Sequence, residues 1–169
     1  MMILVTGGSK CGKSRYAESL FHDFAGQKYY LATMKPYGAD AFEAIERHRR
    51  MRADKGFLTV EQYTDIALAE IPDGSAVLLE CMGNLLANEM FRDGEIIPCA
   101  DKISADLERL NRRTALLVIV SNQVGSDGIC YEAGTAAYIA ALGAVNQKIA
   151  ANADKVIECV YGIPVTVKG

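Results

Sequence analysis

Several features are missing from this 169-residue chain, and each absence narrows what it can do. Its five cysteines (Cys11, Cys81, Cys99, Cys130, Cys159) are odd in number, widely spaced and free of any C-x-x-C pair. That pattern indicates neither a disulfide framework nor a zinc module and fits a reducing cytoplasm. No apolar run approaches the ~20 residues of a membrane helix; "ALLVIV" and "AVLL" are strand-sized. The opening "MMILVTGG" has no basic stretch ahead of a cleavable apolar segment, so it reads as a strand and a loop rather than a signal peptide. A basic excess is also missing. The net charge of −3 argues against a general nucleic-acid binder and against binding to anionic membranes. Repeats, low-complexity tracts and linkers are absent too, which predicts one domain over residues 1–169. Histidine occurs only twice, as His22 and His48.

What is present belongs to a folded α/β protein. Half the residues are apolar and 23% are charged, enough for a chain of this length to build its own core. The runs "MILVT", "YYLAT", "AVLLE", "LLVIVS" and "KVIECVY" read as strands. They alternate with segments of helical period that begin near Lys13, Ala39, Gly83, Ala100 and Glu132. Strands that are apolar throughout are covered on both faces, which predicts a mostly parallel sheet flanked by helices. The final "YGIPVTVKG" reads as a turn at Gly162 and a short last strand or hairpin, with Pro164 placing it at the sheet edge.

The most specific motif opens the chain. In "ILVTGGSKCGKS" an apolar strand leads into Gly7-x-x-x-x-Gly12-Lys13-Ser14, and a helical pattern follows, which is the context a phosphate-binding loop requires. Glycines allow successive backbone N–H groups to point inward, and the helix N-terminus adds positive potential. Lys13 is then placed for the β- and γ-phosphates and Ser14 for Mg²⁺. Glu80, at the carboxyl end of "AVLLE", is a candidate metal-holding acid or else a strand-end carboxylate facing water. The chain has no N-K-x-D motif for guanine and none of the protein-kinase motifs. A small-molecule kinase, an ATPase and a nucleotide-handling transferase remain.

A second feature is the concentration of positive charge around His48. Five of the 18 lysines and arginines fall between Arg47 and Lys55, in "AIERHRRMRADKG". The pairs Glu43/Arg47 and Glu46/Arg50 have the i,i+4 spacing of a helix, with Phe42 and Ile45 on its apolar side. The segment is therefore either a solvated helix face or a local anion site. His22, in "LFHDF", reads as a capping or surface residue.

"MILVTGGSKCGKSRYAE", "YYLATM", "IERHRRMR", "VLLECMGNLLANEMF", "VSNQVGSDGI", "LGAVNQKIAANADKV" and "YGIPVTVKG" occur in an order that resembles the bifunctional adenosylcobinamide kinase/adenosylcobinamide-phosphate guanylyltransferase family of cobalamin biosynthesis. The resemblance covers nearly the whole chain. It implies a RecA-like P-loop NTPase fold assembled as a homotrimer, with a corrinoid and nucleotides (ATP and GTP) as substrates and Mg²⁺ as cofactor. It implies two reactions: phosphorylation of the aminopropanol hydroxyl of adenosylcobinamide, then transfer of GMP from GTP to the resulting phosphate. The second reaction runs in the family through a GMP on histidine, and His48 occupies the matching position. By the same resemblance Lys13 is catalytic. Nucleotide contacts fall on Gly7, Gly8, Ser9, Lys10, Cys11, Gly12, Lys13 and Ser14, on Ala32, Thr33 and Met34, on Arg49, Arg50, Met51 and Arg52, and on Glu61 and Glu80. Metal ligation falls on Ser14 and Glu80. Glu61 reads either as a reader of guanine N–H donors or as a strand-end surface acid.

The chemistry of the residues agrees. A histidine attacks an α-phosphorus when it is neutral and in line with the leaving pyrophosphate. Neighbouring arginines disfavour the imidazolium and offer paired donors to phosphate oxygens. The chain departs from many members at "NQVG", where Gln123 replaces an acid, and at Cys130 and Tyr138-Ile139-Ala140. Two other readings stay open at this level: a monofunctional small-metabolite kinase, and a nucleotide-dependent regulatory binding protein.

Overall fold

The computed structural model describes residues 1–36, 55–92, 94–125 and 127–169. In chain order its elements are β1 (Met2–Gly7), α1 (Lys13–Ser19), β2 (Lys28–Ala32), β3 (Phe57–Glu61), a 3₁₀ turn (Ile66–Leu68), β4 (Ala76–Glu80), α2 (Met82–Met90), β5 (Phe91–Arg92), β6 (Glu95–Ile96), α3 (Ala100–Arg113), β7 (Leu116–Val120), α4 (Ala133–Asn152), β8 (Lys155–Val160) and β9 (Ile163–Lys168). Seven strands form one sheet in the order β3-β2-β4-β7-β1-β8-β9. All neighbours in it are parallel except β9, which returns antiparallel along β8.

The apolar strand runs follow from this geometry. Alternate residues of a strand point to opposite faces, and both faces here are covered. Met2, Leu4, Val77, Leu79, Leu117 and Ile119 pack with Leu85, Leu107, Leu142 and Ile149 of α2, α3 and α4. Ile3, Val5, Leu78, Val118 and Val120 pack on the opposite face with Ala17 of α1 and with Phe21. Phe21 meets Phe57 edge to face, with ring centroids 5.1 Å apart, and so ties the turn after α1 to the outer strand β3. α3 shows the helical period plainly, because Ile103, Leu107 and Leu110 are buried at i, i+4 and i+7. Asp101 lies in its first turn and Arg112 and Arg113 in its last, the charge order that the helix dipole favours.

The fold differs from the sequence expectation in three places. β3 is an outer strand in which only Phe57 is fully buried, so "FLTVE" lacks the continuous apolar signature of the inner strands. The helical pattern after Lys13 ends as regular helix at Ser19 and continues as tighter turns, with Phe21 N–H donating to Glu18 O and His22 N–H to Ser19 O. β5 and β6 form a small separate ladder that the sequence did not announce. The last strand and its edge position match the expectation, and the helix starts at Lys13, Met82, Ala100 and Ala133 fall within a residue of it. The helix expected near Ala39 lies outside the described residues. No helix among the described residues is long and apolar enough to cross a membrane.

One polar network fastens the helical layer. The carboxylates of Asp65, Glu89 and Asp106 converge closely enough to resemble a metal-binding group. Lys102 Nζ already occupies that position, 2.8 Å from Asp65, 2.6 Å from Glu89 and 3.0 Å from Asp106. Arg92 adds a contact of 2.8 Å to Asp65, and the Asp65 backbone N–H donates to Glu89 at 2.7 Å. Hydrogen bonds from Lys102 and then Arg92 hold the Asp65 carboxyl down at about 2, against an ordinary 3.8. Across pH 2 to 4 the unfolded chain therefore binds more protons than the folded one. The stabilisation from this group is complete above about pH 4 and disappears as pH falls toward 2. Urea titrations of Asp65→Asn should show a shallower loss of stability across that window than the parent protein. Equal slopes would contradict the assignment. Lys102→Met leaves the buried Glu89 with Arg92, 3.6 Å away, and the Asp65 backbone N–H, and should cost about 2 kcal/mol in urea unfolding, below the 3–5 expected when a wholly buried pair is broken.

Candidate nucleotide site

The parallel strands present their carboxyl ends along one edge, and the loop from Gly7 to Ser14 rises from the middle of that edge. Two glycines shape it. Gly7 has φ +148°, and a Cβ there would stand 2.6 Å from Cys159 O and 2.7 Å from Cys11 Sγ. Gly12 caps α1 with φ 93°, and a Cβ on it would meet Gly162 Cα at 3.2 Å. A side chain at Gly7 would collide with the neighbouring strand, and one at Gly12 would press on Gly162 in a left-handed backbone, so both positions require glycine.

Lys13 is buried, and its ammonium donates to Gly8 O at 2.9 Å, folded back over the loop. That places a cation where phosphate oxygens compete for the same protons. Ser14 Oγ donates to Glu80 Oε1, and Tyr30 OH donates to Glu80 Oε2 at 3.1 Å. The serine of the loop and the acid at the end of β4 therefore touch, although 66 residues separate them. A hydroxyl and a carboxylate oxygen side by side are the hard donors that Mg²⁺ accepts.

The remaining expected residues fall into three groups. Ser9, Lys10 and Cys11 lie in the loop, with Ser9 and Lys10 exposed and Cys11 half-buried. Ala32 pairs in register with Glu80 on one side and with Glu61 on the other, so all three stand at the same edge. Thr33 is fully buried and its hydroxyl donates to Cys81 O at 2.8 Å, while Met34 is exposed. Glu61 accepts a hydrogen bond from Tyr63 OH at 2.8 Å. Four strand steps separate β3 from β1, roughly 19 Å at the usual spacing, so Glu61 is not gathered with the loop. His48, Arg49, Arg50, Met51 and Arg52 lie outside the described residues. His22 is exposed just after α1.

Sequence reasoning missed several groups around the same edge. Tyr30 braces Glu80. Gln123 N–H donates to Gly7 O at 3.1 Å, and its side-chain amide donates to Glu158 Oε1 at 2.8 Å. A carboxylate thus stands beside the residue at which this chain lacks the acid, supplied by β8. Asn88 holds the turn after β2 by donating to Thr33 O at 2.7 Å and to Tyr63 O at 3.0 Å. None of these follows a short motif; the alternation within "YYLAT", which sends Tyr30 and Ala32 to one face, was the only signal for any of them. Burial raises the Cys81 thiol despite donors at Asn84 and Gly83, which keeps it protonated and unsuited to nucleophilic attack.

The arrangement can hold a nucleoside triphosphate and a hard cation, and can place an acid near the terminal phosphate. Comparisons with known proteins point the same way. The family model described as cobinamide kinase / cobinamide phosphate guanyltransferase matches residues 3–167. The bifunctional adenosylcobalamin biosynthesis protein CobU of Escherichia coli (strain K12) is 35% identical over 184 residues, covering 99% of this chain and 100% of that protein. The protein of that name from Salmonella typhimurium gives the same identity and coverage, and CobP of Pseudomonas aeruginosa is 27% identical over 172 residues, 100% of this chain and 98% of that one. Among solved structures, the flagellar accessory protein FlaH from Methanocaldococcus jannaschii aligns with TM-score 0.53 at 13% identity, over 99% of this chain and 77% of that one. A type III secretion ATPase aligns with TM-score 0.55 at 11% identity, over 98% and 56%. These two likenesses concern the fold, a P-loop ATPase architecture of the RecA-like kind.

Proposed function

The chain belongs to the cobinamide kinase / cobinamide phosphate guanyltransferase family, and from that premise we propose how its residues divide the family's two reactions. The enzyme phosphorylates adenosylcobinamide on its aminopropanol hydroxyl and transfers GMP from GTP to adenosylcobinamide-phosphate, giving adenosylcobinamide-GDP and pyrophosphate. The observation that carries the residue assignment is the meeting of Ser14 with Glu80 beside the buried ammonium of Lys13.

In the kinase step the backbone N–H groups from Gly8 to Ser14 and the Lys13 ammonium hold the triphosphate of ATP or GTP. They stabilise the charge that gathers on the departing β–γ bridge as the corrinoid hydroxyl takes the γ-phosphoryl. Ser14 and Glu80 are the residues that would hold Mg²⁺, which, when bound, neutralises phosphate charge. Glu80→Gln keeps the shape of this pair and removes its charge. It should raise the Mg²⁺ concentration for half-maximal phosphoryl transfer by roughly 10–100-fold, with little change in thermal stability; an unchanged Mg²⁺ requirement in a titration would contradict the role.

In the guanylyl step a His48 nitrogen attacks the α-phosphorus of GTP. An N–P bond forms, the bond to pyrophosphate breaks, and an oxygen of adenosylcobinamide-phosphate then displaces the histidine. Arg49, Arg50 and Arg52 serve as phosphate donors and keep the imidazole neutral. Met34 and Glu61 belong to the approach of this second nucleotide, and the buried Thr33 holds the strand end beside them through Cys81 O.

The working unit is one domain spanning residues 1–169, acting in the cytoplasm on small molecules and assembled as a homotrimer. Support for self-association comes from β9, an edge strand whose Ile163, Val165 and Val167 are all exposed in the single chain. The test is incubation with GTP labelled at the α-phosphate, without corrinoid, followed by denaturation. Acid-labile label on the protein with release of pyrophosphate is expected. A protein that phosphorylates adenosylcobinamide yet takes up no label is a kinase alone.

A further inference from the structure

The turn between β8 and β9 is built from Tyr161 and Gly162, with φ 51° and 84°, and it closes the pair Val160–Ile163. A two-residue hairpin with both central residues left-handed favours Asn-Gly, and a tyrosine at its first position is costly. Burial does not offset that cost, because Tyr161 is 96% exposed. Such a residue points to a use outside the fold.

Its surroundings indicate the use. Gly162 N–H donates to Cys11 O at 2.9 Å, so the turn is fastened to the P-loop itself. Between them opens a recess of about 500 Å³, bordered by Lys10, Cys11, Gly12, Arg15, Tyr16 and Tyr161. That volume is in the range of small-ligand sites. The strand order fixes which part of a ligand reaches it. Glu80 and Ser14 mark the terminal-phosphate end, on the β4 side of β1, whereas β8 and β9 lie on the other side. A triphosphate lying across the loop therefore directs its nucleoside toward Tyr161.

We propose that this recess receives the purine base of the nucleoside triphosphate held by the P-loop, with the Tyr161 ring as its stacking platform. The inference rests on the nucleotide-binding reading above and adds the residue that grips the base. Stacking accepts adenine and guanine alike, since each presents a π-face. The Arg15 side chain borders the same opening and is placed to meet the ribose or the α-phosphate.

The test compares Mg²⁺-ATP, Mg²⁺-GTP and inorganic tripolyphosphate as ligands of the whole protein. Loss of one base–aromatic stack is worth roughly 5–150-fold in affinity. Tyr161→Ala should weaken both nucleotides within that range and leave tripolyphosphate binding unchanged, and Tyr161→Phe should restore nucleotide affinity. In kinase assays the loss should fall on KM for the nucleotide, with kcat kept. Because the chain contains no tryptophan, Tyr161→Trp adds a single indole whose fluorescence should respond to ATP or GTP and stay constant with tripolyphosphate. Unaltered nucleotide affinity in Tyr161→Ala overturns the base site alone. Equal weakening of all three ligands overturns it too, by showing that Tyr161 only shapes the loop. An unsubstituted protein that binds neither nucleotide overturns the functional reading together with this one.

Discussion

Lys13→Ala is expected to lower phosphoryl transfer and guanylyl transfer together, each by roughly 10²–10³-fold in kcat, the usual cost of removing one preorganised donor. The reason is its placement. The ammonium sits in a buried position and donates only 2.9 Å to the carbonyl of Gly8, within the loop. Triphosphate oxygens offer it a charged acceptor in place of a neutral one, an exchange worth more at this buried ammonium than in water. Both reactions begin with a bound triphosphate, so both should fail. Separate assays check this: phosphorylated corrinoid from ATP, and pyrophosphate from GTP with preformed adenosylcobinamide-phosphate. A variant that loses only the first would place guanylyl transfer at a site independent of the P-loop.

His48→Ala should divide the two activities. Loss of a nucleophile that forms the covalent intermediate removes the pathway rather than weakening one contact, and a fall of at least about 10³-fold in guanylyl transfer is expected. Phosphoryl transfer should persist within a few-fold of the parent, since Lys13, Ser14 and Glu80 are left intact. The connection that contains His48 leaves β2 at Ala32, which is paired with Glu80, and so departs from the same strand-end edge as the P-loop. Parallel measurement of the two rates, with urea unfolding as a check on stability, decides the matter. Equal loss of both rates in a stable variant would remove His48 from the guanylyl step alone.

How much of this could be read from the sequence depends on the kind of signal each feature leaves. The P-loop was legible because its chemistry sits in eight consecutive residues. Glu80 was legible because an apolar strand ended on it. The inner strands announced themselves by burial on both faces, and Pro164 announced the edge. β3 was harder to see, because an outer strand buries little more than Phe57 and leaves no continuous apolar run. Contacts between remote residues left no trace at all. Tyr30 and Glu80 are 50 positions apart, and Lys102 gathers acids from the residue before the 3₁₀ turn, from α2 and from its own helix. Gln123 and Glu158 meet only because β1 brings the β7 end and β8 to its two flanks. The "YG" pair was readable as a turn; its attachment to Cys11 was not.

One chain both phosphorylates a corrinoid and guanylylates the product. Mass analysis of the corrinoid, after the unaltered protein is incubated with adenosylcobinamide, Mg²⁺, ATP and GTP, tests it most directly. Adenosylcobinamide-GDP is expected, with one pyrophosphate released for each molecule formed, preceded in time by adenosylcobinamide-phosphate. Unchanged adenosylcobinamide, or a phosphate that accumulates without ever gaining GMP, would contradict it.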